Sequence, residues 1–311
     1  MSGRGTTYGG AVTVSPAKPK VKAGAEVKAG AKVKPEPDTA GPGRPHYIDG
    51  PEGPWDVVRD EVARTGSCVL AAALDVWPAT GWWTEEGPRL RRLLGTEWQR
   101  WSALPHEAIR RRFAASRVLL KEAAGAVLRT PAELLELSVA PSGRPYLRGH
   151  GQVDITLSHT ERMLVVGVTT RGLIGVDVEQ ADRKLAGGQA PPHICTPWEQ
   201  DYLASLPEQE RGPALVRFWT LKEAYTKAIG QGLRFPVNGF CFGDEDGAPR
   251  LRGADGAPRA EGTGEEWRFA THWLHGRHIA AVALYDTGTG GVEYPGRSVL
   301  DTEVLRAFGY S

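Results

Sequence analysis

One arrangement occurs twice along this chain of 311 residues: a long amphipathic helix followed by short apolar strands. The first helix is predicted over residues 105–128, and the second over residues 212–229, where Gly230 ends it. Runs of Val, Ile, Leu and Ala typical of strands follow each helix. The pattern therefore predicts an α+β fold of two pseudo-symmetric subdomains, in which each long helix packs on a small, mostly antiparallel sheet. The expected buried stripe of the first helix consists of Ile109, Phe113, Leu120, Ala124 and Val127.

Composition sets the remaining boundaries. Residues 1–48 are rich in Pro, Gly, Ala and Lys and contain eight Lys or Arg against three Asp or Glu, so we expect a disordered basic extension. The N-terminal half is expected over residues 49–171 and the C-terminal half over residues 172–289. Within the second half, residues 244–264 are rich in Gly and Pro, which predicts a surface loop. Residues 290–311 form a weakly patterned tail.

Charge, hydropathy and cysteine spacing exclude several classes of function. The formal charge of +1 and the 24% of charged residues do not indicate a nucleic-acid partner. No apolar run approaches the roughly 20 residues that a membrane helix needs, and the N-terminus lacks the apolar core of a signal peptide. Cys68, Cys195 and Cys241 show no CxxC spacing, so we expect neither a disulfide framework nor a zinc site. These features favour a cytoplasmic protein without membrane attachment.

The segment LIGVDVEQ, residues 173–180, places two acids in a strand. Because alternate side chains share a face, Val176 and Val178 are predicted to point one way, and Asp177 and Glu179 the other. Two carboxylates so close repel each other unless a cation lies between them. The segment therefore indicates either a metal site or an edge strand with a solvated acidic face.

A third acid is predicted on the second long helix. Trp219, Glu223 and Lys227 follow one another at a spacing of four residues and lie opposite the apolar stripe of that helix. A Trp on this side implies that it is covered too, which would place the acid and the lysine in a cleft. The alternative is a solvated Glu–Lys pair, which contributes only a few tenths of a kcal/mol. The apolar stripe itself consists of Ala214, Phe218, Leu221, Tyr225 and Ala228.

Oxygen ligands from three acids suit Mg²⁺, which is usually bound together with a substrate phosphate. The chain offers groups for such a phosphate on the first helix, in the turn SGRP and at the end of a strand. Arginine grips phosphate in a bidentate manner, and a serine hydroxyl or a histidine can donate to it. Each group also has a simpler interpretation, as a solvated helix arginine or an ordinary strand end. These residues are Arg112, Arg117, Arg144, Ser158 and His159.

Four motifs in order resemble one family. GRPYL, LSHT, GVDVE and, about 40 residues later, FWTLKEAYTKAIGQGL are similar to the motifs of 4'-phosphopantetheinyl transferases of the larger type, named for surfactin synthetase activation. The resemblance covers roughly residues 67–285. It implies two halves on one chain with the active site at their interface, and a monomer. It also implies transfer of 4'-phosphopantetheine from coenzyme A to a serine of an acyl, peptidyl or polyketide carrier protein, with release of 3',5'-adenosine bisphosphate.

The resemblance also implies roles for individual residues. Asp177, Glu179 and Glu223 would hold Mg²⁺, with Mn²⁺ as a possible substitute. Glu223 would act as the base for the incoming serine, and Lys227 would stabilise the leaving phosphate. Lys222, beside the motif acid, would contact a phosphate of coenzyme A. Further coenzyme A contacts would come from Arg112, Arg117, Arg144, Ser158 and His159.

Two other functions use the same residues. A metal-dependent phosphoesterase would employ the acids with water as nucleophile, but the sequence offers no additional His or Asp ligands at metal-binding spacing. A non-catalytic module that binds coenzyme A or a carrier protein would be expected to have lost part of the acid set. Asp177, Glu179, Glu223 and Lys227 are all present, which favours the transferase.

Overall fold

A computed structural model describes residues 43–75, 77, 88–185, 191–232, 235–258 and 266–286. The helices are α1 (Asp56–Thr65), α2 (Pro88–Leu94), α3 (Trp98–Ser102), α4 (Glu107–Leu128), α5 (Pro197–Ser205) and α6 (Glu208–Ala228). The strands are β1 (His46–Tyr47), β2 (Ser67–Ala73), β3 (Leu137–Val139), β4 (Pro145–Leu147), β5 (Asp154–His159), β6 (Met163–Thr169), β7 (Leu173–Gln180), β8 (Phe240–Glu245), β9 (Ala248–Gly253), β10 (Trp267–Leu274) and β11 (His278–Tyr285). The predicted α+β class is confirmed. No helix of the described segments is both long and apolar enough to cross a membrane.

The ends of the chain can be compared with prediction only in part. Most of the predicted basic extension, and the whole predicted tail over residues 290–311, lie outside the described residues. Residues 43–48 are described, and for them the prediction of disorder is wrong. They contain β1, which pairs in parallel with β2, and the fully buried Ile48. The nearly apolar strand β2 accepts this short edge because it is buried along its whole length.

The first subdomain is a four-stranded sheet in the order β1-β2-β6-β5, covered on one face by α4. The predicted helix is confirmed, but its buried stripe is centred differently. Ile109 is exposed, and the buried residues begin one turn later at Ala114. The first turn of α4 lies near α3, where the indole N–H of Trp101 donates to the backbone carbonyl of Arg110 at 2.9 Å. The buried face comprises Ala114, Ala115, Val118, Leu119, Leu120, Ala123 and Ala124.

The second subdomain is a three-stranded antiparallel sheet in the order β10-β11-β7, packed against α6. The hairpin of β8 and β9 closes the same aromatic core. Phe218 and Leu221 of α6 are buried there, as the stripe predicted, and Tyr225 contacts four aromatic rings. Thr196 forms a capping box with Glu199 at the start of α5, as the TPWE sequence favours.

The two sheets face each other across a third apolar cluster. Val69, Ala71 and Val165 of the first sheet share it with Val176 and Val178 of the second. The layers are therefore α4, first sheet, second sheet and α6. Strand β5 lies beside β7, where the backbone N–H of Val176 donates to Oγ1 of Thr156 at 3.4 Å. This contact brings the ends of the two subdomains' strands together.

Two elements of the second half differ from the prediction. Helix α6 begins at Glu208, more than a turn before the predicted start, so that Pro213 lies inside it. Acids in the first turn, Glu208 and Glu210, favour that earlier start because they complement the helix dipole. The predicted loop over residues 244–264 contains β9. The turn Asp246–Gly247, with φ of 50° and 77°, is a pair of left-handed residues typical of a tight hairpin, and the Asp-Gly dipeptide was its sequence signal.

Candidate active site

Strand β7 divides its side chains as the alternation predicts. Val176 and Val178 lie in the cluster between the sheets, whereas Asp177 lies on the other face, toward α6. Gly175 allows α6 to approach this face closely. A Cβ atom there would lie 1.9 Å from the carbonyl oxygen of Ala224 and 2.6 Å from the backbone nitrogen of Ala228, so no larger residue fits. The close approach places the last turns of α6 beside Asp177.

A buried hydrogen-bonded cluster joins β5, β7 and α6. Nζ of Lys227 lies 2.6 Å from Oδ1 of Asp177 and 3.0 Å from Oγ of Ser158. The hydroxyl of Ser158 donates to the same Oδ1 of Asp177 at 2.7 Å. Asp177 is 5% exposed and Ser158 is 7% exposed. Three predicted site residues that are far apart in sequence therefore meet at the junction of the subdomains.

Glu223 places a second carboxylate next to this cluster. Its pKa is raised, first by burial and then by the negative charge of Asp177, while Lys227 and Arg183 act in the opposite direction. Oε1 of Glu223 and Oδ2 of Asp177 are buried without a hydrogen-bond partner in the described part of the chain. Buried carboxylate oxygens without a donor are costly, and a hard cation is one group that satisfies them. The donor chemistry therefore fits a divalent metal.

Glu179 has a different partner from the other two acids. Its carboxylate forms an ion pair with Arg183, four residues later. Within the described residues, no group of three His, Cys, Asp or Glu side chains is arranged to hold a metal ion. Asp177 and Glu223 are close enough for one charge to shift the other's pKa, but Glu179 would have to exchange its arginine to join them.

Positive charge surrounds the end of β5. His159 ends this strand, and its pKa lies below the ordinary value because of burial and the charges of Arg112 and Lys227. Arg112 acts on the imidazole from α4, and Lys227 acts on it from α6. An anion at this point would meet three groups able to donate to it, which is consistent with the predicted phosphate contacts of Arg112 and His159.

Arg144 lies at the same junction but is turned inward. Its guanidinium donates to the backbone carbonyls of Lys227, Ala228 and Ile174 and forms an ion pair with Asp154. Asp154 also accepts from the backbone N–H of Ile174 at 2.8 Å. One residue thus ties β5, β7 and the C-terminal end of α6 together. Its hydrogen bonds are directed to protein groups, whereas the predicted role was contact with coenzyme A.

Arg117 is also held by the protein. It forms a bidentate pair with Glu97 at 2.7 and 2.8 Å, and its guanidinium stacks over the ring of Phe113 at 4.2 Å. The side chain is only 15% exposed. As arranged, Arg117 anchors the segment before α3 to α4. To make the predicted contact, its guanidinium would have to bind a phosphate as well as Glu97.

Comparison with known proteins shows similarity to one family. Residues 173–283 match the family model for the 4'-phosphopantetheinyl transferase superfamily. A phosphopantetheinyl transferase of Thraustochytrium sp. is 27% identical over 244 residues, which cover 72% of this chain and 83% of that protein. The 4'-phosphopantetheinyl transferase HetI of Nostoc sp. is 29% identical over 127 residues, 40% of this chain and 54% of HetI. The 4'-phosphopantetheinyl transferase gsp of Aneurinibacillus migulanus is 26% identical over 37% of this chain and 46% of its own length.

Residues 173–283 of this chain are therefore similar to the 4'-phosphopantetheinyl transferase superfamily. The matched segment includes β7 and α6, and therefore Asp177, Glu179, Glu223 and Lys227. The chain spans about half the length of HetI and of gsp, and most of the Thraustochytrium protein.

Lys222 does not have the position that the resemblance to this superfamily implied. Its ammonium is fully buried, 2.6 Å from Oε2 of Glu199 and 2.7 Å from the carbonyl oxygen of Ile194. The ring of Phe240 lies 5.5 Å from it. The predicted phosphate contact is therefore wrong, because Lys222 points to the aromatic core while its neighbour Glu223 points to the junction. The 100° step between successive helix residues separates them.

The structure adds residues that sequence reasoning did not single out in this transferase-family site. Arg183 forms an ion pair with Glu179 and lowers the pKa of Glu223. Asp154 and Glu97 form ion pairs with Arg144 and Arg117, the arginines that were predicted to bind phosphate. The spacing of Glu179 and Arg183 was the only local signal for the first of these. For Asp154 and Glu97 the partners are 10 and 20 residues away, and the sequence holds no signal for such pairs.

Proposed function

We propose that this protein transfers the 4'-phosphopantetheine group of coenzyme A to a serine hydroxyl of an acyl, peptidyl or polyketide carrier protein, with Mg²⁺ as its metal. The observation that carries the proposal is the cluster of Lys227, Asp177 and Ser158 beside the partnerless carboxylate oxygens of Asp177 and Glu223. In this cluster, carboxylates that could bind a metal ion lie next to an ammonium group that could bind a phosphate. The similarity to 4'-phosphopantetheinyl transferases supports the same reaction.

In the proposed reaction, the serine oxygen forms a bond to the phosphorus that carries pantetheine. The bond from that phosphorus to the bridging oxygen of the diphosphate breaks, and 3',5'-adenosine bisphosphate leaves. Glu223 receives the serine proton, directly or through a water, since burial and Asp177 raise its pKa toward the range of a useful base. Lys227 donates to the leaving phosphate and is held for this by Asp177 and Ser158.

The residues proposed for the metal are Asp177, Glu223 and Glu179, the last after exchange of Arg183. Bound Mg²⁺, or Mn²⁺ in its place, supplies positive charge against the diphosphate oxygens. Arg112 and His159 are proposed to bind the 3'-phosphate, because the charge of Arg112 acts at the imidazole of His159, which can donate a hydrogen bond to the same anion. Arg117 and Arg144 are proposed to act on coenzyme A by positioning the segments around it.

Two further properties belong to the proposal. All three cysteines are free and buried, and burial raises the pKa of Cys68 and Cys195 to about 12, so these thiols stay protonated and unreactive. This is consistent with action in a reducing cytoplasm. Because one chain brings β5, β7 and α6 together, we propose that a monomer is sufficient for activity.

The test is the intact mass of several apo carrier proteins after incubation with the protein, coenzyme A and Mg²⁺. A gain of one phosphopantetheine, lost with EDTA and with Glu223→Gln but kept with Glu245→Gln, is the expected result. Glu245 is an exposed acid of β8 and serves as the matched control. Hydrolysed coenzyme A with unmodified carriers would identify a phosphoesterase instead, and binding of coenzyme A without either reaction would identify a non-catalytic module.

A further inference from the structure

A cleft of about 470 Å³ lies on the first subdomain, away from the candidate active site. It is formed by the C-terminal part of α1, the end of α4 and the turn between β6 and β7. Its volume falls within the roughly 300–1,000 Å³ of small-molecule sites. Three of its lining residues are arginines and none of them is acidic. The lining consists of Arg59, Val62, Ala63, Val127, Arg129, Thr170 and Arg171.

The charges of this cleft are largely uncompensated. Arg129 and Arg171 have no ion-pair partner among the residues that the structure describes. Arg59 pairs with Asp60 at 3.0 Å, but the Asp60 side chain is 68% exposed, so the pair is screened by water. The C-terminal ends of α1 and α4 carry about half a negative charge each. The positive charge of the three guanidinium groups exceeds these opposing charges.

Backbone contacts fix the positions of two of the arginines, Arg129 and Arg171. Arg129 adopts a left-handed conformation, φ 53°, as the residue that ends α4, and its N–H bonds to the carbonyl oxygen of Gly125. The stem of Arg171 lies across Gly66, where a Cβ atom would come within 2.3 Å of its Cδ. The carbonyl of Gly66 in turn accepts from the N–H of Thr170 at 2.9 Å. The turn that carries Arg171 is therefore anchored to the end of α1.

The register of the first sheet separates this cleft from the candidate active site. Thr169, next to the cleft, pairs with Asp154, and Leu164 pairs with His159 at the opposite end of the same two strands. Five residues at about 3.3 Å each put the two ends about 16 Å apart. The cleft also adjoins the turn through which the chain passes from the first sheet to the second. A ligand there would leave the end of β5 free.

We infer that this cleft binds a small molecule carrying two linked phosphate groups. Guanidinium groups match phosphate oxygens in a bidentate manner, and three of them line this cleft. Val62, Ala63 and Val127 give the floor an apolar surface that suits the organic part of such a molecule. The inference is independent of the proposed transferase reaction, because it uses none of the residues assigned to it.

The test is calorimetric titration of the full chain with inorganic pyrophosphate in the absence of metal. Arg129→Gln/Arg171→Gln is expected to weaken binding at least about tenfold, since two guanidinium groups that can donate charged hydrogen bonds to phosphate are lost. Arg162→Gln, an exposed arginine of the β5–β6 turn, is the matched control and is expected to bind as the wild type does. Unchanged thermal unfolding of each variant shows that the fold is intact.

The variants also separate this site from the catalytic one. Arg112→Gln is expected to leave pyrophosphate binding at the cleft unchanged, and the double variant is expected to keep transfer activity. Binding that falls equally in Arg162→Gln, or depends only on Arg112, or persists when Arg112→Gln is added to the double variant, would overturn the inference. If transfer is never observed but the double variant alone loses pyrophosphate binding, the proposed function fails and the cleft stands.

Discussion

The ammonium of Lys227 and the carboxylate of Asp177 lie 2.6 Å apart although 50 residues separate them in the chain. Asp177 is almost fully buried, whereas the Lys227 side chain is 27% exposed. The acid therefore depends on the lysine for compensation more than the lysine depends on the acid. This asymmetry, and the second acid beside it, govern the first two predictions.

Glu223→Gln is expected to lower phosphopantetheine transfer on the order of 100-fold or more, because it removes a base and a metal ligand. The same change is expected to leave the free energy of unfolding unchanged or higher, since the buried charge that repels Asp177 disappears. Intact-mass assays and urea unfolding without metal measure the two effects. Normal activity in this variant would contradict the role of Glu223.

Lys227→Met is expected to abolish transfer and to destabilise the fold, because Asp177 becomes a buried charge without a cation. The double change Lys227→Met/Asp177→Asn is expected to recover stability but not activity. A double-mutant cycle of unfolding free energies measures the coupling between the two residues. Additive effects of the two single changes would show that the contact contributes nothing to stability.

Arg144→Lys distinguishes positioning from direct contact. Because its guanidinium bonds to the carbonyls of Lys227 and Ala228, we expect kcat to fall while the KM for coenzyme A stays nearly constant. Arg148→Lys, an exposed neighbour whose guanidinium is 3.5 Å from Glu136, is the control. A rise in KM at constant kcat would instead favour the coenzyme A contact that the sequence resemblance implied.

Lys222→Met is expected to cost about 3–5 kcal/mol of stability, because it leaves the buried Glu199 without its partner. Burial already raises the pKa of Glu199 against the effect of Lys222. In Lys222→Met/Glu199→Leu, where both charges are absent, most of the loss is expected to be recovered. Chemical unfolding of the three proteins checks this. Full stability but lost coenzyme A binding in the single variant would restore the phosphate-contact hypothesis.

His278 makes stability depend on pH. It is buried on β11, both ring nitrogens lack a hydrogen-bond partner in the described part of the chain, and its pKa is lowered. Burial is the main cause, followed by His275; Arg277 also lowers the pKa, while Asp182 and Asp75 raise it. The folded pKa lies below the unfolded value of about 6.5, so the unfolded chain binds more protons as the pH falls. The contribution of His278 to the free energy of unfolding is therefore fully present above about pH 6.5 and decreases as the pH falls below that value.

His278→Leu removes this proton linkage. Urea unfolding at pH 8 and pH 5.5 is expected to show a smaller loss on acidification in the variant than in the wild type. Other titrating groups, such as Glu199 with its raised pKa, contribute equally to both proteins, so the difference isolates His278. Parallel losses in both proteins would contradict the assignment.

Local patterns predicted much of the fold. The two long helices, the strands from β5 to β7, β10, β11 and the capping box at Thr196 all follow from spacing and end signals that act within a few residues. The alternation in β7 also predicted that Asp177 and Val176 face opposite ways. The hairpin of β9 was missed because its Gly and Pro content was read without its Asp-Gly turn.

The chain's sequence by itself determined which acids, cations and hydroxyls are available and on which face of each element they lie. Only the tertiary structure decided their partners. Gly175 lets α6 approach β7, so Lys227 reaches Asp177, while Lys222, five residues earlier on the helix, points into the core toward Glu199. Arg144 and Arg117 likewise pair with Asp154 and Glu97. The physical reason is that charge pairing depends on distance in space, which local periodicity does not encode.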